Sequence, residues 1–240
     1  MQDIVTGRNK NLQFFINLIP KSFRLIFNPN RRCVEKFIER SAKKMEKGAK
    51  ILDAGAGPCP YKKLFLHCDY EATDFIDKYK ILDFVCQLDN IPKKKETYDA
   101  ILSTEVLEHV EYPQKVVNEF YRILKKDGKL FLTVPQGWMI HQEPHNFYYF
   151  TKYGLISLFK NAGFKRFKII PKGGYFWFLA DAIRFNRITQ QYKKYPLIYY
   201  PLKILEFPFT SIIFPFILFY LDFLDKEKKW TMGYVVEAQK

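Results

Sequence analysis

The hydrophobic and polar positions of this chain first follow a helical pattern. Residues 12–27 are apolar and aromatic with sparse positive charge. A clearer helix follows, predicted from apolar residues at helical spacing, which are Val34, Phe37, Ile38 and Met45. Asn28 can cap this helix, Pro29 suits its first turn, and Gly48 is expected to end it. We therefore predict an N-terminal helical segment over residues 1–47.

From residue 48 the pattern changes to short apolar runs separated by turn residues, which is typical of buried strands. The predicted strands are Lys50–Ala54, Tyr70–Thr73, Phe84–Cys86, Tyr98–Ser103, Lys129–Val134, Phe164–Ile170 and, at the far end, Gly233–Ala238. Strands that alternate with helices indicate an α/β fold. We predict a doubly wound, seven-stranded, mostly parallel sheet of the Rossmann-like kind. Residues 48–170 form its core, and residues 230–240 supply its last strand.

Two helices are predicted between these strands. The first is Pro113–Lys126, where Lys125 and Lys126 complement the C-terminal helix dipole and Gly128 stops the helix. The second is Thr151–Ala162, which Thr151 caps and Gly163 closes.

Residues 171–229 do not alternate in this way, and we predict a hydrophobic, aromatic-rich helical insertion there. Its centre, Phe207–Leu221, has fifteen residues without a charge. This is short of the ~20 residues of a membrane-spanning helix, and Pro208 and Pro215 are expected to interrupt it. Three interpretations of residues 195–225 stay open: attachment to a membrane surface, a cap over the active site, and a dimer interface or simple core. A true transmembrane span is a fourth, disfavoured alternative.

The composition adds a charge argument. The 240 residues are 48% hydrophobic and 18% aromatic, and the formal net charge is +14. A basic surface attracts nucleic acid, anionic lipid or phosphorylated substrates, although a solvated lysine-rich surface has the same composition. The four cysteines form no CxxC pair, and no histidine lies at zinc-ligand spacing from them, so we predict no metal site. No signal peptide is recognised, and we expect a cytoplasmic protein, with a peripheral membrane location left open.

The stretch ILDAGAGPCPYKKLF suggests a cofactor loop. Its strand ends in Asp53, Gly55 and Gly57, and Asp74 follows Asp53 by 21 positions, where an acid can bind ribose hydroxyls. A third glycine is missing, and Cys59 stands in its place between two prolines that lack backbone donors. Such a loop is poor for a pyrophosphate and suits a ligand that has a ribose but no phosphate.

At this point the chain resembles class I S-adenosylmethionine (SAM)-dependent methyltransferases of the type 11 group. The motifs that carry the resemblance are ILDAGAG (51–57), YEATDF (70–75), DNIP (89–92), STEVLEHV (103–110), LKKDGKLFLTVP (124–135) and PHNFYYFTKYGLISLFKNAGF (144–164). The resemblance implies an enzyme with SAM as its cofactor, and it covers about residues 48–170 and the last strand.

The resemblance also implies which residues bind the cofactor. The loop after the first strand matches the family's loop that holds the methionine portion of SAM, and Asp74 matches the acid that binds both ribose hydroxyls. The carboxyl end of the fourth strand matches the position beside the methyl group. In the adenine loop the family commonly has Asp where this chain has Gln87, whose carbonyl oxygen can still accept a hydrogen bond. The predicted cofactor-binding residues are Asp53, Ala54, Gly55, Gly57, Asp74, Phe75, Gln87, Leu88, Thr104 and Glu105.

A general base is needed only if the acceptor is a hydroxyl or similar group. His109 is the first candidate, followed by His141 and His145. Pro144 argues against a helical metal pair formed by the last two. Packing or surface roles remain the alternative for each histidine, and Glu105 and Glu108 are equally interpretable as helix-start residues.

The acceptor class is narrowed by two motifs that the sequence lacks. The residues STEV stand where enzymes that methylate the amino groups of nucleic-acid bases carry the motif [DNS]PP[YFW]. Methylation of base C5 needs a catalytic cysteine motif, and no cysteine follows Cys86 in this chain. We predict a methyltransferase for a small or lipid-like acceptor, at a membrane surface in one version of the hypothesis. The alternatives are an RNA methyltransferase, favoured by the basic charge, and a non-catalytic binding module on a membrane. An NAD-dependent oxidoreductase is disfavoured by the missing glycine, and the sequence does not predict an oligomeric state.

Overall fold

The computed structural model describes residues 28–184 and 192–240. The apolar segment 12–27 lies outside these residues. The chain divides into two compact units. One consists of Val34–Pro171 with Gly233–Lys240, and the other is built on Lys172–Met232.

A seven-stranded sheet forms the centre of the first unit. Its strands are β1 (Lys50–Ala54), β2 (Asp69–Asp74), β3 (Phe84–Val85), β4 (Tyr98–Thr104), β5 (Leu124–Pro135), β6 (Arg166–Pro171) and β7 (Gly233–Gln239). They lie in the order β3-β2-β1-β4-β5-β7-β6. The pairs from β3 through β5 are parallel, and β7 is antiparallel to both of its neighbours. The predicted seven-stranded, mostly parallel sheet is confirmed.

The helices of this unit cover both faces of the sheet. They are α1 (Pro29–Ala42), which begins before the unit boundary, α2 (Pro113–Ile123) and α3 (Lys152–Ala162). On one face, Val34 and Ile38 of α1 pack with Phe131 in a buried cluster. On the other, α2 and α3 contribute Phe120 and Phe159 to a larger cluster. Continuous apolar strands such as β1 are therefore buried from both sides, as parallel sheets require.

The sequence predicted some helix ends correctly and others not. The Asn28 side chain accepts a hydrogen bond from the Arg31 amide at 3.0 Å, as predicted for the start of α1. That helix ends at Ala42, earlier than the expected stop at Gly48. Thr151 caps α3 by accepting from the Gly154 amide at 3.1 Å, and Gly163 closes it in the left-handed conformation.

The predicted end of the helix Pro113–Lys126 is wrong, because α2 ends at Ile123. Leu124 turns to an extended conformation, is fully buried and pairs with Tyr98 of β4. Lys125 forms an ion pair with Asp99 at 2.9 Å instead of complementing a helix dipole. Tertiary strand pairing thus overrides a local pattern that suits a helix terminus.

The second unit contains helices α4 (Tyr175–Arg184), α5 (Pro196–Pro208) and α6 (Phe214–Leu221). A π-helical turn, Phe209–Ile213, joins α5 to α6, and a 3-10 turn, Asp222–Leu224, follows. Residues Pro196–Leu224 therefore form one helix of 29 residues, which we call the apolar helix. The expectation that prolines would interrupt this segment is wrong. The π turn absorbs their effect, and the Thr210 hydroxyl donates to the Glu206 carbonyl at 3.1 Å.

The end of the apolar helix packs against α4. The rings of Trp177 and Phe219 stack with centroids 5.1 Å apart, and the Trp177 indole donates to the Phe219 carbonyl at 2.9 Å. Asp222 is buried, accepts from the Gly174 amide at 2.9 Å and pairs with Lys228 at 2.8 Å. These contacts fix the two helices to each other within the second unit.

Candidate active site

The loop after β1 is tied to the end of β2. The amides of Gly55 and Ala56 donate to the Thr73 carbonyl at 2.9 and 3.0 Å, and the Gly57 amide donates to Asp74 Oδ2 at 3.0 Å. Because β1 and β2 are parallel neighbours, their carboxyl ends bring the loop and the acid together, where α/β folds bind ligands.

Asp74 presents its carboxylate at this edge of the sheet. Its Oδ1 accepts from the Phe75 amide at 2.7 Å, so each oxygen has one backbone donor and capacity for another. Phe75 and Gln87 are exposed, and Leu88 is buried. The Cys86 amide donates to the Asp74 carbonyl at 3.1 Å, which places the predicted adenine loop beside the predicted ribose acid.

Glycine is required at position 55. Its φ is +80°, and a Cβ there would lie 2.4 Å from the Val106 side chain. The loop after β1 is therefore packed against the segment after β4. In that segment Glu105 has a φ of +52°, and its amide donates to the Thr133 carbonyl at 3.0 Å. Thr104 and Glu105 thus lie at the same edge as the glycine loop.

Asp53 lies below this edge and is 1% exposed. The Tyr70 hydroxyl donates to its Oδ2 at 2.5 Å. Burial raises the pKa of Asp53 to about 7, while the Tyr70 hydrogen bond opposes the increase. A structural role in the loop thus has direct support, and contact of Asp53 with the cofactor stays a prediction. Tyr70 was missed from the sequence, where it is one apolar position of a strand.

Cys59, at the position of the missing glycine, takes a left-handed conformation with a φ of +50°, which glycine adopts more readily than other residues. Its amide donates to the Ala56 carbonyl at 2.8 Å. Burial, followed by the charge of Asp53, raises the pKa of the Cys59 thiol. A protonated thiol at this position fits a packing residue better than a nucleophile.

Two of the three candidate catalytic histidines lie side by side. His109 ends a short 3-10 helix, Leu107–His109, and its ring centroid is 4.9 Å from that of His141. His109 Nδ1 lies 2.5 Å from the His145 carbonyl oxygen. The structure thus brings His109 and His141 together, whereas His145 meets them through its backbone and its side chain is exposed.

Backbone contacts of Glu108 hold the loop after β5 in place. The amides of Phe147 and Tyr148 donate to its carbonyl at 2.8 and 3.2 Å. The Tyr149 hydroxyl donates to the Met139 carbonyl at 2.7 Å and lies 2.8 Å from Asn146 Oδ1, which closes the loop around His141. Glu108 and Tyr149 were missed as site residues. For Glu108, the sequence did offer a signal, which is the adjacent Glu-His pair in STEVLEHV.

The residues at this edge fit a ribose-bearing cofactor without a phosphate. Asp74 supplies acceptor oxygens for ribose hydroxyls, and a Cβ at Gly57 would meet no atom of residues 28–184 and 192–240 within 4 Å. Pro58 and Pro60 offer no amide hydrogen for a pyrophosphate. The donor set therefore suits SAM better than a dinucleotide.

Comparisons with known proteins agree with this chemistry. Residues 27–167, more than half of the chain, match the family described as "Methyltransferase domain". An uncharacterized protein of Methanocaldococcus jannaschii, MJ0638, is 31% identical over 157 residues, which cover 61% of this chain and 69% of that protein. A second protein of the same organism, MJ1123, is 26% identical over 158 residues, 59% of this chain and 77% of that protein.

Solved structures share the fold at low sequence identity. A SAM-dependent methyltransferase from Archaeoglobus fulgidus aligns with a TM-score of 0.58 and 13% identity, over 91% of this chain and 98% of that one. A protein from Thermotoga maritima, described as a possible histamine N-methyltransferase, aligns with a TM-score of 0.52 and 16% identity, over 95% and 99% of the two chains. The chain belongs to the methyltransferase-domain family and is a SAM-dependent methyltransferase.

Proposed function

We propose that this enzyme methylates a lipid-like acceptor at the cytoplasmic surface of a membrane. The observation that carries the proposal is the apolar helix, Pro196–Leu224, which has a mean hydropathy of 1.9 over its most apolar window, only 11% of that window being buried. At 1.5 Å per residue its 29 residues extend about 43 Å, more than the ~30 Å hydrocarbon core of a bilayer.

Apolar side chains are exposed along the whole helix. The most exposed are Leu197 (91%), Ile204 (74%), Leu205 (67%), Phe223 (74%) and Tyr200 (62%). An amphipathic surface helix buries one apolar stripe and exposes a polar one. A helix that is apolar on all sides has no polar stripe to expose to water, so it needs an apolar environment. Only Lys203 and Glu206 carry charge between Leu197 and Leu221, and they pair at 3.3 Å.

Positive charge precedes the helix at Lys193 and Lys194, whereas Lys226, Lys228 and Lys229 after it are balanced by Asp222, Asp225 and Glu227. Together with a net charge of +14 for the whole chain, the two lysines before the helix favour an anionic leaflet such as the cytoplasmic one. The basic charge and the exposed apolar surface thus both support an anionic membrane as the partner.

The site residues have distinct proposed tasks in this reaction. Asp74 binds the ribose, the loop Gly55–Gly57 holds the cofactor edge, and His109 accepts a proton when the acceptor is a hydroxyl group. Burial lowers the pKa of His109, which keeps its ring neutral near pH 7, as a base requires. SAM, when bound, supplies an activated methyl group.

The proposal predicts where a labelled methyl group is found. Purified full-length protein is incubated with methyl-tritiated SAM and total lipid vesicles, total RNA or a metabolite extract in separate reactions. Label is expected in the organic phase of the lipid reaction, with Asp74→Ala as the inactive control. Label confined to RNA would support the alternative acceptor instead, and label confined to the aqueous small-molecule fraction would overturn the lipid-like acceptor.

A further inference from the structure

A cluster of potential metal ligands lies beside the candidate active site. Glu108, His109 and His141 each offer one ligand atom, and these atoms lie within 4.8 Å of one another. His109 and Glu108 follow β4, and His141 follows β5, so two neighbouring strands deliver the cluster to the same sheet edge. Two imidazoles and a carboxylate form a known ligand set of catalytic zinc sites.

The histidine tautomers suit metal binding. His109 Nδ1 lies 2.5 Å from the His145 carbonyl and His141 Nδ1 lies 3.1 Å from the Met139 carbonyl. A carbonyl oxygen only accepts hydrogen bonds, so each Nδ1 carries the proton and each neutral ring has its lone pair on Nε2. Histidines that bind metals are oriented in this way by a second hydrogen bond.

Glu108 supplies negative charge in a dry position. Its side chain is 1% exposed, and Oε1 lies 3.8 Å from His109 Nε2. In so buried a place a carboxylate interacts strongly with a cation. His109 Nε2 and the Glu108 carboxylate therefore lie close together on the β4 side, and a ring nitrogen of His141 completes the set from the β5 side.

We propose that Glu108, His109 and His141 bind a divalent transition-metal cation of the zinc type. Ligand atoms at about 2.0–2.2 Å from a tetrahedral zinc ion are about 3.4 Å apart, so the three side chains close by about an ångström when the ion binds. Three protein ligands leave a coordination position open.

The open position gives the cation a role toward the acceptor. Gly55 of the cofactor loop packs against Val106, two residues before Glu108, so the cation lies near the cofactor loop. A hydroxyl group bound to the cation would have a lowered pKa and would lose its proton to solvent, which would leave an oxygen nucleophile. With the cation bound, His109 would be a ligand, and the cation would replace it in activating the acceptor. This role rests on the proposed function, whereas cation binding itself does not.

The test uses Co²⁺ as a spectroscopic probe. Full-length protein is freed of metal with a chelator and titrated with Co²⁺, and visible absorption follows the ion. We expect one ion per chain with the intense bands of a four- or five-coordinate site, displaced by Zn²⁺ but not by Mg²⁺. The absence of such bands at millimolar Co²⁺ would overturn the proposal, whatever the variants do.

Substitutions then assign the ligands. His141→Gln and Glu108→Gln are each expected to weaken Co²⁺ binding at least ~10-fold, because even residues behind the ligands cost that much. His67→Gln, at an exposed histidine outside the cluster, and His145→Gln, which keeps its backbone carbonyl, should bind Co²⁺ like the wild type. Calorimetric SAM binding checks that each variant is folded. Folded His141→Gln and Glu108→Gln proteins with wild-type Co²⁺ affinity would show that the ligand set is wrong.

Discussion

At Asp53 a single buried carboxyl links the loop after β1 to the stability of the fold. Its pKa is raised to about 7 by burial, whereas an unfolded aspartate titrates near 3.8. Between these values the folded state binds a proton that the unfolded state lacks. The contribution of this group to the free energy of unfolding therefore falls as pH rises from about 4 to about 7, by up to ~1.4 kcal/mol per pH unit.

Asp53→Asn is expected to remove this dependence. The amide keeps an oxygen that can accept from Tyr70, and it carries no charge at any pH. Urea unfolding at pH 5 and pH 7.5 should show the variant gaining at least about 1 kcal/mol relative to the wild type at the higher pH. Asp89→Asn, at an exposed carboxyl, is the control. An equal stability difference at both pH values for Asp53→Asn would contradict the raised pKa.

The sequence predicts some single residues of the site well and others not at all. Asp74 follows from a fixed spacing after the first strand, because the strand and turn geometry of the fold determines it. The contact between His109 and His141 does not follow from any sequence spacing, because it depends on how a long loop returns to the edge of the sheet. Spacing rules search for ligands close in sequence, and these two histidines are brought together by tertiary structure alone.

Helix ends show which local signals persist in the folded chain. Thr151 and Gly163 were predicted as the two ends of α3, and both are confirmed by their hydrogen bonds and backbone conformation. The end of α2 was wrong because Leu124 is needed in β5. A capping signal is local and survives, whereas an apolar residue at a helix end can instead be recruited by a neighbouring strand.

Thr151 ends the loop that carries His141, and its side chain caps the start of α3. Thr151→Ala removes the acceptor for the Gly154 amide and should destabilise the protein by about 1 kcal/mol. Lys152→Ala, at the exposed first residue of α3, is the matched control. Urea unfolding measures both variants. A Thr151→Ala protein as stable as its control would show that the cap contributes nothing.

At the scale of the whole molecule, the chain combines a methyltransferase unit with an apolar one. The sequence predicted the sheet because alternating strands and helices have few alternative arrangements. It also predicted an apolar helical insertion, but not that the helix would continue through Pro208 and Pro215. Proline counts as a helix breaker in sequence patterns, whereas a π turn accommodates it here.

The combination predicts how membrane binding depends on salt. Charge attraction fades as the screening length falls from about 8 Å at 0.15 M salt to about 3 Å at 1 M, whereas apolar insertion does not. We expect full-length protein to float with anionic vesicles at both salt concentrations. Leu197→Asn with Ile204→Asn removes two exposed apolar side chains, each worth about 1.5–3 kcal/mol when buried. This variant should therefore bind only at low salt.

The matched control for that variant is Leu66→Asn with Tyr153→Asn. These side chains are 77% and 78% exposed and lie in the methyltransferase unit. It should float like the wild type at both salt concentrations, because it leaves the apolar helix intact. Wild-type protein that is released from vesicles at 1 M salt would show that charge alone holds it there. Equal losses in the two double variants would show that the apolar helix has no special role, and the membrane proposal would then fail.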